Sequence, residues 1–391
     1  MYSQSGWIEQ SSPTMEGLTG VCFTDANIGT VVGNKGTIIR TTNGGAVWTS
    51  QSSGIENLLT GVFFTDANTG TVVGDSGIIL RTTNGGTTWT SDSSGTTNTL
   101  YGISFTDDSR GTIVGRNGTI IHTTNGGATW TSESSGTKHD LWGACFTDAN
   151  TGTAVGDSGT FLRTTNGGTT WIIDSIGTLK PLAGVCFTDA NTGTAVGLKG
   201  TILRTTNGGA TWTSQSSGTT SYLIGVCFTD ANTGTVVGNY GIILHTTNGG
   251  ATWTNQSRDT TTYLIGVCFT DSIMGTAVGF NGVILRTTTG GVTSVKEYSV
   301  SGQPNQFKLG QNYPNPFNPS TVINYQLPIS SLVMIKVYDV LGREMQTLIN
   351  ERQDAGTHSV TFSASTLPSG VYFYRLQAGN DSATKKLVIL K

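Results

Sequence analysis

The apolar residues of this chain come in short runs that are separated by Gly, Asn, Thr and Ser, and the runs return at a fixed interval. A Leu-x-Gly triplet places its glycine every 41 residues, without insertion, at Gly20, Gly61, Gly102, Gly143, Gly184, Gly225 and Gly266. Within the unit Leu58–Gly95, Val, Ile, Thr and Phe predominate, turn residues interrupt the chain at short intervals, and no helical periodicity occurs. Each unit therefore predicts four short β-strands, which in the second unit are Leu59–Thr65, Gly70–Gly74, Gly77–Thr82 and Thr88–Ser93.

The pattern within the strands predicts how the units pack. Strands two and three carry adjacent apolar residues, as at Val72-Val73, so both faces of each sheet need to be covered. Repeats of this length and composition are typical of propeller blades, which stack around an axis. A Trp also recurs every 41 residues, but position 294 is Ser294 and the missing residue is found at Trp7. We therefore predict an all-β fold with a seven-bladed propeller over 1–294, whose last blade takes its outer strand from the N-terminus.

Six units contain Thr-Thr-Asn-Gly-Gly-x-x-Trp, for example at Thr82–Trp89. This motif resembles the Asp-box (BNR) hairpin of sialidases, with Asn in place of the usual Asp. Its Thr and Asn side chains are expected to bond to turn backbone, while the Gly pair takes positive φ. The whole unit resembles the photosystem II stability/assembly factor propellers. That resemblance implies a seven-bladed scaffold that binds other proteins and catalyses nothing.

The last ninety residues differ in composition, because six of the eight prolines lie beyond residue 303 and the repeat ends. We predict a polar linker at 295–306 and a small antiparallel, Ig-like β-sandwich at 307–391. Its expected strands include Val333–Tyr338, Ser359–Phe362, Val371–Leu376 and Thr384–Leu390. The module resembles the C-terminal sorting domain of type IX secretion cargo in three motifs: Asn312–Pro319, Leu341-Gly342-Arg343 and Pro368–Tyr372.

This second resemblance implies that residues 307–391 engage the type IX secretion machinery and that the protein is extracellular or displayed on the outer cell surface. Cargo of this type needs an N-terminal export signal, yet Met1–Trp7 leads directly into the first strand without an apolar segment. We therefore expect that the signal has been trimmed from this sequence or that its start is misplaced.

Composition excludes several classes of function. A formal net charge of −3 over 391 residues offers no footprint for nucleic acid or anionic lipid. No run of about 18 apolar residues occurs, so no membrane insertion is predicted. The odd number of cysteines argues against a disulfide framework, and one repeat column spreads them around the ring instead of gathering them at a metal. These residues are Cys22, Cys145, Cys186, Cys227 and Cys268. No metal site and no cofactor is predicted.

Every blade has a basic residue at the end of strand three. This basic column consists of Arg40, Arg81, His122, Arg163, Arg204, His245 and Arg286. An acidic column ends strand one on the same rim and consists of Asp25, Asp66, Asp107, Asp148, Asp189, Asp230 and Asp271. Two interpretations stay open. Either the columns form seven ion pairs that tie turns together, each worth only ~0–1 kcal/mol when exposed, or the basic column binds an acidic peptide or carboxylate.

The opposite rim, formed by the turns between strands two and three, varies more between blades. Its aromatic residues are Tyr101, Trp142, Tyr240 and Phe280. Loops vary at the surface without any functional reason, which is one interpretation. Exposed aromatic residues also anchor interfaces and stack on sugars. We therefore predict that a ligand binds at these four residues, which we call the aromatic rim.

The sequence thus predicts a secreted or surface-displayed propeller that binds a protein or a glycan, without catalysis, and a monomer is expected. One alternative is an Asp-box glycoside hydrolase of the sialidase type, and another is a purely structural surface or adhesion module. A sialidase-like site needs converging arginines. The arginines of the propeller outside the basic column are on different rims: Arg110, Arg116 and Arg258. No catalytic residue is predicted.

Overall fold

The computed structural model describes residues 6–174, 177–257, 262–292, 306–379 and 381–391. The chain divides into two compact units, Met1–Thr293 and Ser294–Lys391. Strands make up both units, and no helix in the described ranges is long and apolar enough to cross a membrane. Arg258 and all of the linker 295–306 except Gln306 lie outside the described residues.

The first unit consists of seven four-stranded antiparallel sheets. Blade 1 contains Leu18–Phe23, Gly29–Gly33, Ile38–Thr41 and Thr49–Gln51. Blade 2 contains Leu59–Phe64, Gly70–Gly74, Ile79–Thr82 and Thr90–Asp92. Blade 3 contains Leu100–Phe105, Gly111–Gly115, Ile120–Thr123 and Thr131–Glu133. Blade 4 contains Leu141–Phe146, Gly152–Gly156, Phe161–Thr164 and Ile172–Ile173.

The remaining blades repeat this order. Blade 5 contains Leu182–Phe187, Gly193–Gly197, Thr201–Thr205 and Thr213–Gln215. Blade 6 contains Leu223–Phe228, Gly234–Gly238, Ile243–Thr246 and Thr254–Asn255. Blade 7 contains Leu264–Phe269, Gly275–Gly279, Ile284–Thr287 and, from the N-terminus, Ile8–Gln10. Strand one of each blade packs on strand one of the next, and blade 1 packs on blade 7, so the ring is closed.

The shared last blade confirms the closure that the Trp spacing predicts. Ile8–Gln10 pairs antiparallel with strand three of blade 7, with Ile8 opposite Arg286. Trp7 is 2% exposed, and its ring meets Phe269 edge-on with 5.8 Å between centroids. Trp48 and Phe23 make the same contact in blade 1 at 6.0 Å.

Both faces of each blade are covered, as the adjacent apolar residues predict. All five residues of strand two are buried in every blade. Neighbouring innermost strands lie so close that a Cβ atom on Gly61 would be 2.7 Å from the carbonyl oxygen of Tyr101. The glycine of the Leu-x-Gly triplet is therefore needed for close packing of the blades.

A two-residue turn joins strands two and three of each blade, and both of its residues have positive φ, as in a type I′ hairpin. The second turn residue is always Gly, whereas the first is Lys35, Ser76, Asn117, Ser158, Lys199, Tyr240 or Asn281. In six blades the turn forms a short 3-10 element: Asp75–Gly77, Arg116–Gly118, Asp157–Gly159, Leu198–Gly200, Asn239–Gly241 and Phe280–Gly282. The seven first turn residues therefore project from one rim in equivalent positions.

The second unit is the sandwich that the alternating strands predict. One sheet contains Lys308–Leu309, Ser320–Leu327 and Gly356–Ser363. The other sheet contains Glu344–Gln353, Ser331–Tyr338, Gly370–Ala378 and Asp381–Ile389. Their inner faces enclose one core, in which Tyr325, Phe362 and Tyr374 are fully buried. In Gly370–Ala378 buried and exposed residues alternate, which is the expected signature of a strand with one covered face.

Candidate functional site

The Asp-box turns form one rim of the ring, and their polar side chains are used within the turn. In blade 2, the hydroxyl of Thr82 accepts the N–H of Gly86 at 2.9 Å and donates to Asn84 Oδ1 at 3.0 Å. The same Oδ1 accepts the N–H of Thr88 at 3.0 Å, and Gly85 and Gly86 have φ of 68° and 79°. The motif is therefore a self-contained structural turn, as its Thr, Asn and Gly residues predict.

Three arginines of the basic column bind the neighbouring blade. Arg40 donates from Nη1 to Thr30 Oγ1 at 2.7 Å and from Nη2 to the carbonyl of Ala67 in blade 2. Its guanidinium also lies 5.0 Å from the ring centroid of Phe64. Desolvation lowers the pKa of Arg40, which shows the cost of enclosing this charge. Two more arginines make the same set of contacts with the next blade: Arg204 and Arg286.

The other four basic residues have their polar contacts within their own blade. Arg81 pairs with Asp92 at 2.9 Å and Arg163 pairs with Asp174 at 3.1 Å, whereas His122 Nδ1 lies 3.4 Å from the Glu133 carboxylate without a hydrogen bond. His245 instead lies 3.0 Å from the hydroxyl of Thr235, and desolvation lowers its pKa. The whole basic column is thus engaged inside the propeller.

The acidic column caps its own turns. Oδ1 of Asp148 accepts the N–H groups of Asn150 and Thr151 at 2.7 and 2.9 Å. Backbone hydrogen bonds of this kind lower the pKa of five members: Asp66, Asp107, Asp148, Asp189 and Asp230. All members of both columns lie within the described residues, and no ion pair joins one column to the other. The expected seven ion pairs are therefore wrong, because nearby backbone N–H groups satisfy the aspartates first.

The five cysteines connect neighbouring blades through their sulfur atoms. The N–H of Phe64 in blade 2 donates to Cys22 Sγ at 3.4 Å, and the N–H of Phe187 donates to Cys145 Sγ at 3.2 Å. Burial raises the pKa of both thiols to about 12. Ser104 makes the equivalent bond in blade 3 at 3.0 Å. Within the described ranges, no group of three or more His, Cys, Asp and Glu side chains is arranged to hold a metal.

The structure places the four aromatic-rim residues on the rim opposite the Asp-box turns, in two clusters. Tyr101 and Trp142 are each the second residue of strand one, in blades 3 and 4. Their rings stack with 4.3 Å between centroids at an angle of 27°. The indole N–H of Trp142 donates to Asp157 Oδ1 at 2.8 Å, which holds the ring in place. This first cluster is a half-buried, pre-oriented platform.

The second aromatic cluster lies across blades 6 and 7. Tyr240 is 61% exposed and Phe280 is 41% exposed. Tyr263 lies between them, with ring centroids 5.5 Å from Tyr240 and 5.8 Å from Phe280. Tyr240 has φ of 60°, a conformation that is strained for a bulky side chain. The fold therefore holds an exposed aromatic ring at a position where Asn or Ser would be less strained.

Tyr263 and Asp157 both contact the aromatic rim, and neither is predicted from the sequence. Tyr263 precedes strand one of blade 7, in a repeat column that holds Gly17 and Asp140 in other blades. Because this column varies between blades, its variation could have indicated that Tyr263 belongs to the aromatic rim.

The sorting-type motifs of the second unit form its surface turns and the segment that leads into the sandwich. The N–H of Asn312 donates to the hydroxyl of Tyr374 at 2.9 Å, and that hydroxyl donates to the carbonyl of Gly310 at 2.6 Å. Asn312 is 1% exposed, whereas its neighbour Tyr313 is 81% exposed. The motif therefore combines a buried anchor with an exposed aromatic ring.

The second motif forms a tight, capped turn. Asp339 accepts the N–H groups of Leu341 and Arg343, both at 2.9 Å, and pairs with the Arg343 guanidinium at 2.6 Å. Leu341 remains 76% exposed at its tip. The turn thus presents an apolar side chain in a fixed position on the sandwich.

Solved structures show the same propeller fold. The chain is 21% identical to a structure described as YCF48 bound to D1 peptide, with a TM-score of 0.62 over 74% of this chain and 96% of that one. YCF48 from Cyanidioschyzon merolae is also 21% identical, with a TM-score of 0.62 over 72% and 98% of the two chains. A GH74 enzyme from Niastella koreensis is 13% identical, with a TM-score of 0.54 over 83% and 59%. At these identities the likeness shows the fold alone.

Family models match both units, whereas no curated protein matches the chain. The model described as secretion system C-terminal sorting domain covers residues 311–390. The model described as photosynthesis system II assembly factor YCF48 covers residues 1–94, 92–171 and 174–260, which is more than half of the chain. The chain therefore belongs to the photosynthesis system II assembly factor YCF48 family, as a secreted propeller that ends in a type IX sorting domain.

Proposed function

We propose that this protein is a non-catalytic binding propeller, in which residues 1–294 bind a protein or a glycan through the aromatic rim. Residues 307–391 direct its export by the type IX machinery to the extracellular space or the outer cell surface. The observation that carries this proposal is the pair of preformed aromatic clusters around Tyr101–Trp142 and Tyr240–Tyr263–Phe280. Aromatic anchors of this kind supply much of the binding energy at interfaces.

The state of the basic column supports the choice of rim. Arg40 is 9% exposed and Arg163 is paired with Asp174, so neither offers a free guanidinium to a ligand. An acidic peptide at that rim would have to displace existing bonds. On the aromatic rim, Tyr240 is 61% exposed although its ring contacts Tyr263, and its unfavourable φ of 60° supports a role in binding.

The family supports protein binding as the broader class. One solved structure of similar fold is described as YCF48 bound to D1 peptide, which supports protein binding as the class of function. A sorting domain on the same polypeptide places such a scaffold outside the cell, where proteins and glycans are both available ligands.

The test starts with the full chain, presented to a glycan array and used in pull-down experiments with cell-surface extracts. For any ligand found, Trp142→Ala should weaken binding at least tenfold, about 1.4 kcal/mol, because it removes one ring of the stacked pair. Tyr240→Asn should also weaken binding without disturbing the turn, since Asn117 and Asn281 occupy the same turn position in other blades. Arg163→Ala is the control and should leave affinity unchanged. A loss with Arg163→Ala but none with Trp142→Ala would place the site at the basic column and contradict the proposal.

A further inference from the structure

A groove runs along the outer part of a blade, between the turn after strand two, strand four and the linkers on either side. It is present in blades 1, 3 and 5, with volumes of about 620, 510 and 860 Å³ respectively. The largest of the three, in blade 5, is lined by Lys180, Lys199 and a set of small polar residues. These are Gly177, Thr178, Gly200, Thr201, Ser214, Gln215, Ser216, Ser217, Gly218, Thr219 and Thr220.

The equivalent groove of blade 1 shows how a lysine in this place is normally neutralised. Lys35 Nζ lies 2.9 Å from Glu16 Oε1. The charge of Glu56 also acts on Lys35, and both carboxylates raise the pKa of this lysine. Blade 1 therefore surrounds its turn lysine with two negative charges.

Blade 5 has the same lysine but neither of these acids. Lys199 occupies the position of Lys35, 164 residues further along, which is four repeats of 41. At the same distance, Lys180 stands in place of Glu16 and Thr220 stands in place of Glu56. One counter-charge is lost and the other is reversed, so two cations line a groove whose described lining residues include no carboxylate. Within the described part of the chain, no ion pair involves Lys180 or Lys199.

Hydrogen bonds hold the backbone at both lysines. The N–H of Lys180 donates to Thr178 Oγ1 at 3.1 Å. Lys199 is the first residue of a type I′ turn, and the N–H of Gly200 donates to the carbonyl of Ser221 at 2.8 Å. Two of the four lysines in residues 1–294 thus converge on one groove of a propeller that is otherwise acidic. Because the propeller is otherwise acidic, its overall charge would repel anions, and only the local arrangement of the two lysines can attract them.

The lining indicates the class of ligand. Hydroxyl groups and glycine backbone dominate the groove, and Leu203 is its one large apolar residue among those described. Such walls suit a ligand that carries many hydroxyl groups, whereas a peptide side chain would gain little from them. Lysine ammonium groups bind carboxylate and sulfate oxygens as point charges.

We propose that the groove of blade 5 binds an acidic sugar, a uronic acid or a sulfated hexose of a glycan, through Lys180 and Lys199. The ammonium groups contact the sugar's anionic group, and the hydroxyls of Thr178, Ser216 and Thr219 contact its hydroxyls. This site is separate from the aromatic rim and does not depend on the function proposed for it.

The test is calorimetric titration of the full chain with glucuronic acid, glucose 6-sulfate, glucose and inorganic sulfate at low ionic strength. The two acidic sugars should bind, whereas glucose and sulfate alone should bind at least tenfold more weakly. Lys180→Glu should reduce glucuronic acid binding at least tenfold, since it recreates the neutralised arrangement of blade 1. Because Glu16 and Lys35 already form that pair in the same fold, this variant is expected to fold normally.

Matched variants separate this site from other effects. Lys138→Glu, in the groove of blade 3, changes the net charge by the same amount and should leave the titration unchanged. Trp142→Ala should also leave it unchanged, so a failure here and a failure of the aromatic-rim proposal are distinguishable. Equal binding of glucose and glucuronic acid, or full binding by Lys180→Glu, would overturn the proposal. Tighter binding of the peptide N-acetyl-Glu-Glu-amide than of glucuronic acid would overturn the assignment to a sugar.

Discussion

The junctions between blades fall into two groups that differ at one repeat column at the end of strand four. The four Gln junctions carry Gln10, Gln51, Gln215 and Gln256 in this column. The three carboxylate junctions, which are contiguous, carry Asp92, Glu133 and Asp174. Both groups share the same strands and nearly the same apolar residues, and each group contains one His in the basic column, His122 or His245.

The glutamines reach across to the next blade. Nε2 of Gln51 donates to the carbonyl of Gly85 at 2.9 Å, and the neutral amide leaves Arg40 free to bind Ala67 of the same neighbour. A carboxylate cannot donate that bond, and in blade 2 Asp92 instead holds Arg81 within its own blade. For the arginines of the basic column, this residue therefore determines whether the bonds run between blades or within a blade, whereas His245 bonds within its own blade although Gln256 follows it.

The Trp residues of the Asp-box motif follow this division only in part. At two of the Gln junctions the indole N–H donates to the glutamine, in the pairs Trp48–Gln10 and Trp7–Gln256, both at 3.1 Å. At the other five junctions, two of which are Gln junctions, the buried indole nitrogens have no hydrogen-bond partner within the described residues: Trp89, Trp130, Trp171, Trp212 and Trp253. The carboxylate junctions differ from the Gln51 junction in lacking the bonds that Gln51 and Arg40 make to the next blade. We infer from these missing bonds that the carboxylate junctions are the less stable part of the ring.

The largest expected effect is at the junction that closes the ring. Trp7→Ala should lower the free energy of unfolding by about 3–5 kcal/mol, because it empties a buried site and leaves Gln256 without its donor. Urea denaturation of the full chain measures this loss. Ile8→Ala is the control on the same strand and should have little effect, since Ile8 is 70% exposed. An unchanged urea midpoint for Trp7→Ala would show that the N-terminal strand does not close the ring.

Exchanging the residues of the column tests the comparison directly. Gln51→Asp should cost about 1–3 kcal/mol, because a carboxylate cannot donate the bond that Gln51 makes to Gly85 across the junction. Asp92→Gln should change stability by less than about 1 kcal/mol, since the lost pair with Arg81 is partly exposed and a bond to the next blade replaces it. Equal losses from both exchanges would show that the two kinds of junction do not differ in this way.

Acid should destabilise both groups of junctions alike. The lowered pKa values of Asp66, Asp107, Asp148, Asp189 and Asp230 stabilise the fold above the ordinary aspartate pKa of about 4. This stabilisation is lost as the pH falls through the lowered folded-state values, so the propeller Tm should drop as the pH falls below about 4. Scanning calorimetry should show a shallower drop for Asp66→Asn and for Asp148→Asn, to the same extent. If only one of these two variants showed the shallower drop in Tm, the Gln junctions and the carboxylate junctions would differ in more than the residue at the end of strand four.

The smallest effect concerns thiol reactivity. With pKa values of about 12, Cys22 and Cys145 should react slowly with iodoacetamide at pH 8 in the folded protein. Cys22 bonds across a Gln junction and Cys145 across a carboxylate junction. We expect Cys145 to react several-fold faster through local opening, as followed by peptide mass spectrometry. Faster labelling of Cys22 would reverse the inferred order of stability.

The ends of the strands were predicted to within two or three residues where Gly, Asn and Ser of the repeat separate one strand from the next. In blade 2, Gly77–Thr82 was expected and Ile79–Thr82 is observed, because Asp75–Gly77 forms the turn. The strand Glu344–Gln353 was not predicted. It lies at the edge of its sheet and is mostly exposed, so it lacks the apolar alternation that would have marked it.

Prediction of the candidate site was less complete. Tyr101, Trp142, Tyr240 and Phe280 could be assigned to one rim, because equivalent repeat positions lie at equivalent heights. Their division into two clusters, and the place of Tyr263 between two of the rings, depends on contacts between blades. The partners of the basic column were wrong for the same reason, since Arg40 bonds to a blade that begins many residues later.

By itself, the sequence determined the number of blades, the closure through Trp7 and the sandwich at the C-terminus. These features depend on periodic burial and turn chemistry, which are local and are repeated often enough to be recognised. Only the tertiary structure decided which polar groups meet across a junction. Hydrogen-bond partners depend on angles and distances of a few tenths of an ångström, and a choice between Gln and Asp changes them without changing the hydrophobic pattern. The meeting of Lys180 and Lys199 belongs to the same class, because the repeat gives their positions but only the packing shows that both line one groove.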